Sequence, residues 1–414
     1  MKKSLLSLLL LLASCSKVET SSLSTVTIVD RNGFSETISN QDRLSLYENT
    51  NFSTNQPYKE VARVYKRDGE GNVNSSVNTY HENGQPYQYL EISNGRARGA
   101  YLEWHPNGTL ALEATVVEGE PELSDEARAT WIFDGMASCW DDQGTLAATF
   151  PYSKGMMDGS VTYYHPDGKV WKELEYTAGN QEGTEEIYTP DGLLLQRSHY
   201  KEGLRDGDLK RFWSNGEIQS DEFYYHGKLM KGRYTDERGN ELSKVEEGNG
   251  RRALFGKKHL TETHEYRDGF PSGEVVVYDE HRLILQRYHV KNGLKHGEDT
   301  EYYAGTTRPK ITLTWVEGQI RGNVKTWYPS GKPQSEREIH NHKKNGLLTG
   351  WYESGDLMLI EEYRDDLLQK GEYYKKGEKR STSRVVNGNG SATLYDSDGN
   401  FKTKITYKNG VPLP

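Results

Sequence analysis

A glycine followed five residues later by an aromatic ring recurs along this chain at a spacing of about 24 residues, from Gly99/Trp104 and Gly159/Tyr164 to Gly346/Trp351 and Gly390/Tyr395. A fixed period of that length is the signature of a repeat protein. An array of this kind spends its residues on a surface rather than on one deep pocket. Composition alone would allow disorder, since 34% of the 414 residues are hydrophobic and the mean hydropathy is −0.87. Against that stand 28 Tyr, 8 Trp and 9 Phe, many of them in register with the 42 glycines. Tyrosine suits a thin sheet, because its ring can be buried while its hydroxyl reaches water.

Gly159 to Gly183 serves as the type unit. Ser160 to Tyr164 reads as a short strand and His165-Pro166-Asp167-Gly168 as a turn. Proline presets φ, aspartate bonds nearby backbone, and glycine takes a positive φ. Lys169 to Tyr176 reads as a longer strand, and Thr177 to Gly183 as a second, glycine-bounded turn. Each unit is then one antiparallel hairpin, and successive units continue a meander. Two residues after the turn glycine stand Leu110, Val170, Leu194 and Ile218; eight after it stand Val116, Tyr176, Tyr200 and Tyr224. Even offsets share a face of a strand, so these positions should be buried while Glu173, Glu175, Arg197 and His199 meet water. A single hairpin is marginal alone, and stability must come from stacked neighbours.

The units Tyr163-Tyr164-His-Pro-Asp-Gly and Tyr200-Lys-Glu-Gly-Leu-Arg-Asp-Gly resemble the MORN-variant repeat of bacterial proteins, over about residues 60–410. That resemblance implies an all-β fold, an elongated antiparallel meander of tandem hairpins that binds other proteins or sits near membranes. Some bacterial proteins with this repeat are described as antitoxins, a role that fits poorly with export.

Export is what the N-terminus suggests. Lys2-Lys3 precede an apolar run, Leu5 to Leu12, too short to span a bilayer, which needs about 20 residues. Leu12-Ala13-Ser14-Cys15 resembles the bacterial lipobox, which implies cleavage before Cys15 and lipidation of its thiol. Several acyl chains anchor stably, at about 0.8 kcal/mol per buried methylene. Ser16 in place of Asp favours the outer membrane by the enterobacterial sorting rule, and lipobox and repeat together look most like the repeat lipoproteins of chlamydia-like bacteria. The alternative is an ordinary signal peptide with a chance cysteine. Without residues 1–14 the chain carries 50 basic against 61 acidic residues, a balance that argues against nucleic acid and against anionic lipid heads.

The expected organisation is a signal peptide at 1–14, a tether with an N-terminal hairpin at 15–57, first repeats with an insertion at 58–134, and two repeat blocks at 135–272 and 273–414. In the tether, β-formers flank Asp30-Arg31-Asn32-Gly33, a hairpin signal. The insertion, from Glu120 to about Asp134, is either a functional loop or a tolerated surface addition. The two blocks rest on matched glycines: Gly135, 159, 183, 207 and 250 correspond to Gly273, 297, 322, 346 and 390. The same irregular gap occurs in both series, and each ends in Gly-Asn-Gly, at 248–250 and 388–390, where a bulge or bend is expected.

No catalytic constellation stands out. His105 and His165 lie in proline turns. His259 and His264 fall on opposite faces of a strand, and His340 and His342 share a face without a third ligand. Asp396-Ser397-Asp398-Gly399 begins like a calcium loop but lacks the terminal glutamate. Cys139 reads as a buried small hydrophobe. The reading is therefore a lipid-anchored envelope repeat protein, not an enzyme, without cofactor or metal. It acts as an interaction or structural scaffold with a membrane tether at Cys15 and a protein partner. Tyr163, Trp213 and Tyr328 are its candidate interaction surface, as rings the core does not need. The alternatives are a periplasmic or surface glycan-binding protein or hydrolase with a site on the sheet face, and a spacer without a specific partner.

Overall fold

The computed structural model describes residues 22–340 and 343–414. The lipobox with Cys15, and His342, lie outside the described residues. Two compact units are present, one ending at Leu193 and one beginning at Leu194. Within each, consecutive strands pair antiparallel in meander order. Helix is confined, among the described residues, to Gln41–Leu44 and Asp125–Arg128. The expected all-β architecture of tandem hairpins is what the chain forms.

Two kinds of turn alternate, and each follows from its residues. At the proline turn, the His165 N–H bonds the Lys169 carbonyl and the Gly168 N–H bonds the His165 carbonyl, at 2.8 Å each. Gly168 has φ +83°, the left-handed conformation that closes such a loop. The other turn is shorter than expected. Ala178 and Gly179, at φ +47° and +84°, form a two-residue turn whose twist matches the strands, and the next strand already begins at Asn180.

Gly183 therefore lies inside a strand, Asn180–Tyr188, and not in a turn. It sits at a register break between Leu174 and Tyr176 of the facing strand, with φ +94°. The Glu175 side chain occupies the space that a Cβ at Gly183 would take, and its carboxylate accepts the Thr184 N–H at 3.0 Å. Glu91 over Gly99 and Glu265 over Gly273 repeat the arrangement, accepting from the Ala100 and Glu274 N–H groups at 2.9 Å each. The periodic glycine is a bulge that admits a side chain from the previous strand.

Neighbouring hairpins are also joined tip to tip. The turn-glycine N–H donates to a carbonyl of the preceding hairpin: Gly155 to Phe133, Gly179 to Met157 and Gly227 to Arg205, each at 2.8 Å. In an isolated hairpin that donor would face water. At the opposite edge the first residue of the proline turn reaches the next repeat's ring-bearing residue. His105 and His165 donate Nε2–H to the carbonyls of Trp140 and Tyr188, at 2.9 and 3.1 Å, and Tyr328 Oη–H donates to that of Trp351 at 2.8 Å. Tyr328→Phe should thus lose about 1 kcal/mol, measured as a shift in urea midpoint at unchanged m-value.

Alternation holds: Val116 and Tyr224, eight residues after the turn glycine, are buried as expected, but the position two after it is shallower than the one six after it. Leu90, Leu174, Ser198 and Glu222 there are nearly inaccessible, whereas Ile218, two after its glycine, is 39% exposed. The facing position is two after the bulge glycine. Val161 opposes Leu174, and Leu209 opposes Glu222.

Two segments of the first unit pack where looser chain was expected. Strand Ser22–Asp30 pairs with Ser35–Ile38, giving the expected hairpin, and along its other edge with Lys59–Arg67. Residues 40–57 then fold back, burying Leu44 and Phe52 against Val26, Ile38 and Ala62, while Tyr80 Oη–H donates to the Phe52 carbonyl at 2.7 Å. Residues 22–57 are part of the fold and not a tether, because these few apolar anchors outweigh the surrounding polar composition. In the 120–134 insertion, Ser124 caps Asp125–Arg128 and Trp131 lies edge-on to Tyr101 at 4.8 Å, its indole N–H on the Glu120 carbonyl. Trp131 is 7% exposed. Burial of such a ring contributes roughly 4–6 kcal/mol at most, enough to hold the insertion as a packed cover.

The second unit contains both Gly-Asn-Gly sites, and they are built alike. Gly250 and Gly390 each have φ +140°. Gly248 N–H bonds the Met230 carbonyl and Gly388 N–H that of Gln369, at 2.9 Å each. Leu229 N–H reaches the Gly269 carbonyl, and Leu368 N–H that of Gly410, at 3.1 Å each. These bonds draw hairpin tips together across an intervening hairpin, and each bend encloses a small core with Leu229 and Tyr234, or Leu368 and Tyr373, fully buried.

Candidate interaction face and buried polar spine

The three rings singled out in the sequence occupy different environments. Trp213 is 4% exposed, packed edge-on against Phe255 at 5.0 Å, with its indole N–H on the Thr235 carbonyl. It does not lie outward: it fills the ladder position that His105 and His165 occupy elsewhere. Tyr328 is half-buried for the same reason. Tyr163 is half-buried on the face of Val161, in T-shaped contact with Phe150 at 5.7 Å and Trp171 at 6.1 Å.

Other rings are the outward ones. Trp171 is 45% exposed, and in the second unit Phe223 and Tyr225 are 41% and 55% exposed. Phe223 borders an open groove of about 1160 Å³ whose rim carries Asp208, Asp221, Lys231 and Arg233. Trp171, Phe223 and Tyr225 stand at odd offsets from the turn glycine, the strand parity that marks the face away from the buried positions.

The deepest chemistry lies in the second unit. Glu222 accepts hydrogen bonds from the hydroxyls of Tyr224 and Tyr234 at 2.9 Å each and from Arg252 Nε at 2.7 Å, with Arg211 3.7 Å away. Burial pushes its carboxyl up, but the Arg252 and Arg211 charges and the Tyr234 hydroxyl outweigh it and hold the group below its ordinary value. Burial, with Glu222 beside it, pushes the Tyr224 phenol up to about 12. At the corresponding place Glu361 accepts from Tyr363 and Tyr373 at 2.9 and 2.8 Å. There Gly350 and Ala392 stand where Arg211 and Arg252 would be. Asp299, 2% exposed, takes Lys295 at 2.8 Å, Gln286 at 2.7 Å and the Trp315 indole at 3.0 Å. Variable residue types at these positions hide the spine from sequence inspection. Glu222, Glu361 and Asp299 are each held by donors of their own fold, an arrangement that supports packing.

The remaining candidates lie in turns and on strand faces. His264 pairs with Glu262 at 2.6 Å, and His259 lies in the turn before strand Leu260–Arg267. No group of three or more His, Cys, Asp or Glu able to hold a metal occurs among the described residues. Cys139 is half-buried, and burial pushes its thiol up. Asp396 closes its turn by accepting the Asp398 and Asn400 N–H groups at 2.9 Å each, with the Asn400 amide on its second oxygen. Asp68 with Asn72 and Asp236 with Asn240 repeat that motif. These bonds, chiefly those from the asparagines, lower the carboxyl pKa from the ordinary 3.8. A lowered folded-state value stabilises above the unfolded value and is lost as pH falls through the folded one. Turn protection should therefore hold above pH 3.8 and fade below it, and Asp236→Asn should flatten that dependence locally in hydrogen exchange followed against pH.

No curated protein matches the chain. Residues 157–178 and 321–341 match the family model of the MORN repeat variant. Each match starts two residues or one before a bulge glycine, Gly159 or Gly322, and runs through the following proline turn. By sequence and by hairpin geometry, the chain carries MORN-variant repeats at these two positions.

Proposed function

We propose that this is an exported, lipid-anchored cell-envelope protein, held preferentially at the outer membrane, whose repeat array is a non-enzymatic protein-interaction scaffold. The observation that carries the reading is how the repeat-defining residues are used. Bulge glycines, turn glycines and the ladder of His, Trp and Tyr are committed to joining hairpins, and buried acids are held by their own tyrosines and cations. What the array leaves toward water is a set of side chains including Trp171, Phe223 and Tyr225. Outward rings of this kind are the usual anchors of protein partners. The lipobox motif supports the anchor, with Cys15 as the acylated residue.

Two measurements test this. Cys15→Ala should abolish labelling by a palmitate analogue and leave uncleaved precursor; continued labelling would refute the anchor. A photocrosslinking residue at Phe223 or Trp171 in living cells should yield one dominant adduct, lost when the neighbouring outward ring is replaced by alanine. Crosslinks spread over many proteins, unchanged by that replacement, would mark a spacer instead.

A further inference from the structure

A polar groove in the first unit goes beyond the scaffold reading. Strands Lys59–Arg67, Val73–Tyr80 and Pro86–Ser93 pair in register, so that Lys66 opposes Asn74, Val64 opposes Ser76, and Asn78 opposes Tyr89. Directly opposed residues share a face. The segment 41–53 rises beside that face and walls a cavity of about 430 Å³, with Tyr47, Glu48 and Asn51 opposite Ser76, Asn78 and Tyr89. A second hollow of about 320 Å³ shares Lys66, Ser76 and Tyr89 with the first and extends it along the strands. The first volume falls within the range of about 300–1,000 Å³ common for small-ligand sites.

Asn78 is the telling residue. It is 3% exposed, yet its side chain makes a single long contact, Nδ2 to Ser76 Oγ at 3.5 Å. A buried carboxamide can make up to four hydrogen bonds and is costly to leave unpaired. Lys66 and Glu48, also on the groove wall, have no ion-pair partner among the described residues. The Tyr89 hydroxyl is engaged by Glu91 at 3.0 Å, which fixes the ring while leaving its face available.

The geometry points to a saccharide-binding site, taking a short neutral oligosaccharide with one ring against Tyr89 and its hydroxyls on Asn78, Ser76 and Lys66. Mixed donors and acceptors beside an aromatic wall suit a polyhydroxylated ring, which is apolar on its faces and polar around its rim. A phosphate ligand would call for more cations than Lys66 supplies. An acyl chain would leave the amide, hydroxyl and charged walls unpaired.

The test is saturation-transfer NMR on the purified full chain with linear trisaccharides of glucose, mannose and N-acetylglucosamine at millimolar concentration. At least one should bind. Asn78→Ala and Lys66→Ala should each weaken it about tenfold, and Phe401→Ala, at an exposed ring of the second unit, should leave it unchanged. Lys66 lies on the rim, so its variant tests the site if Asn78→Ala fails to fold, which the thermal midpoint reports. No transfer from any of the three sugars, or transfer that both groove variants leave intact, would overturn the site. The assay uses neither the lipid anchor nor a protein partner, so its failure is distinct from failure of the scaffold reading.

Discussion

Glu222→Ala should destabilise the second unit by about 3–5 kcal/mol, because it removes a fully buried carboxylate and strands the two cations paired with it. Arg252 is 13% exposed and bonds the carboxylate through Nε at 2.7 Å. Arg211 is 26% exposed and faces the same acid at 3.7 Å. Truncation also leaves the Tyr224 and Tyr234 hydroxyls without their acceptor. At Glu361 the same substitution strands, among the described residues, only Tyr363 and Tyr373. Its cost should be smaller, about 1–3 kcal/mol, because hydroxyls are cheaper to leave unpaired than guanidinium groups. Urea unfolding of the two variants side by side checks the order. Equal losses would mean that the arginines contribute nothing there.

Gly250→Ala and Gly390→Ala should each cost about 3 kcal/mol or more. Two penalties combine at these positions. The backbone is at φ +140°, which side-chain-bearing residues rarely adopt. A Cβ would also press on main chain: the Val245 Cα would lie 2.9 Å from it at Gly250, and the Val385 Cα 3.0 Å at Gly390. Backbone in a paired strand cannot swing aside. Gly183→Ala shares the backbone penalty, with φ +94°, but contrasts in the steric one. There the obstacle is the flexible Glu175 carboxylate, which can leave for water at the loss of its bond to Thr184, so the cost should stay below that of the other two, at about 2 kcal/mol. Thermal midpoints of the three variants rank them.

Much of this was legible in the sequence. The period, the hairpin unit, the proline turn and the recurring Gly-Asn-Gly defect follow from residue spacing, because turn chemistry is local. Long-range packing was not legible. Leu44, Phe52 and Trp131 sit in polar stretches and show their role only once folded against the sheet. The position six after the turn glycine holds leucine, serine or glutamate, so its burial left no compositional trace. Trp213 looked spare because the ladder position is elsewhere filled by His or Tyr, and a shared role across unlike residues has no sequence signature. Gly183 carries the signal of a turn for a related reason: a bulge and a turn ask for the same residue.

The repeating residues serve to join one hairpin to the next. Amide hydrogen exchange at the turn glycines tests this most directly, because in a free two-residue hairpin turn that N–H faces solvent. Gly155, Gly179 and Gly227 each donate to the preceding hairpin at 2.8 Å. Their amides should exchange slowly, with protection comparable to that of the flanking strands. Exchange at the rate of unstructured chain, with the strands still protected, would contradict the account.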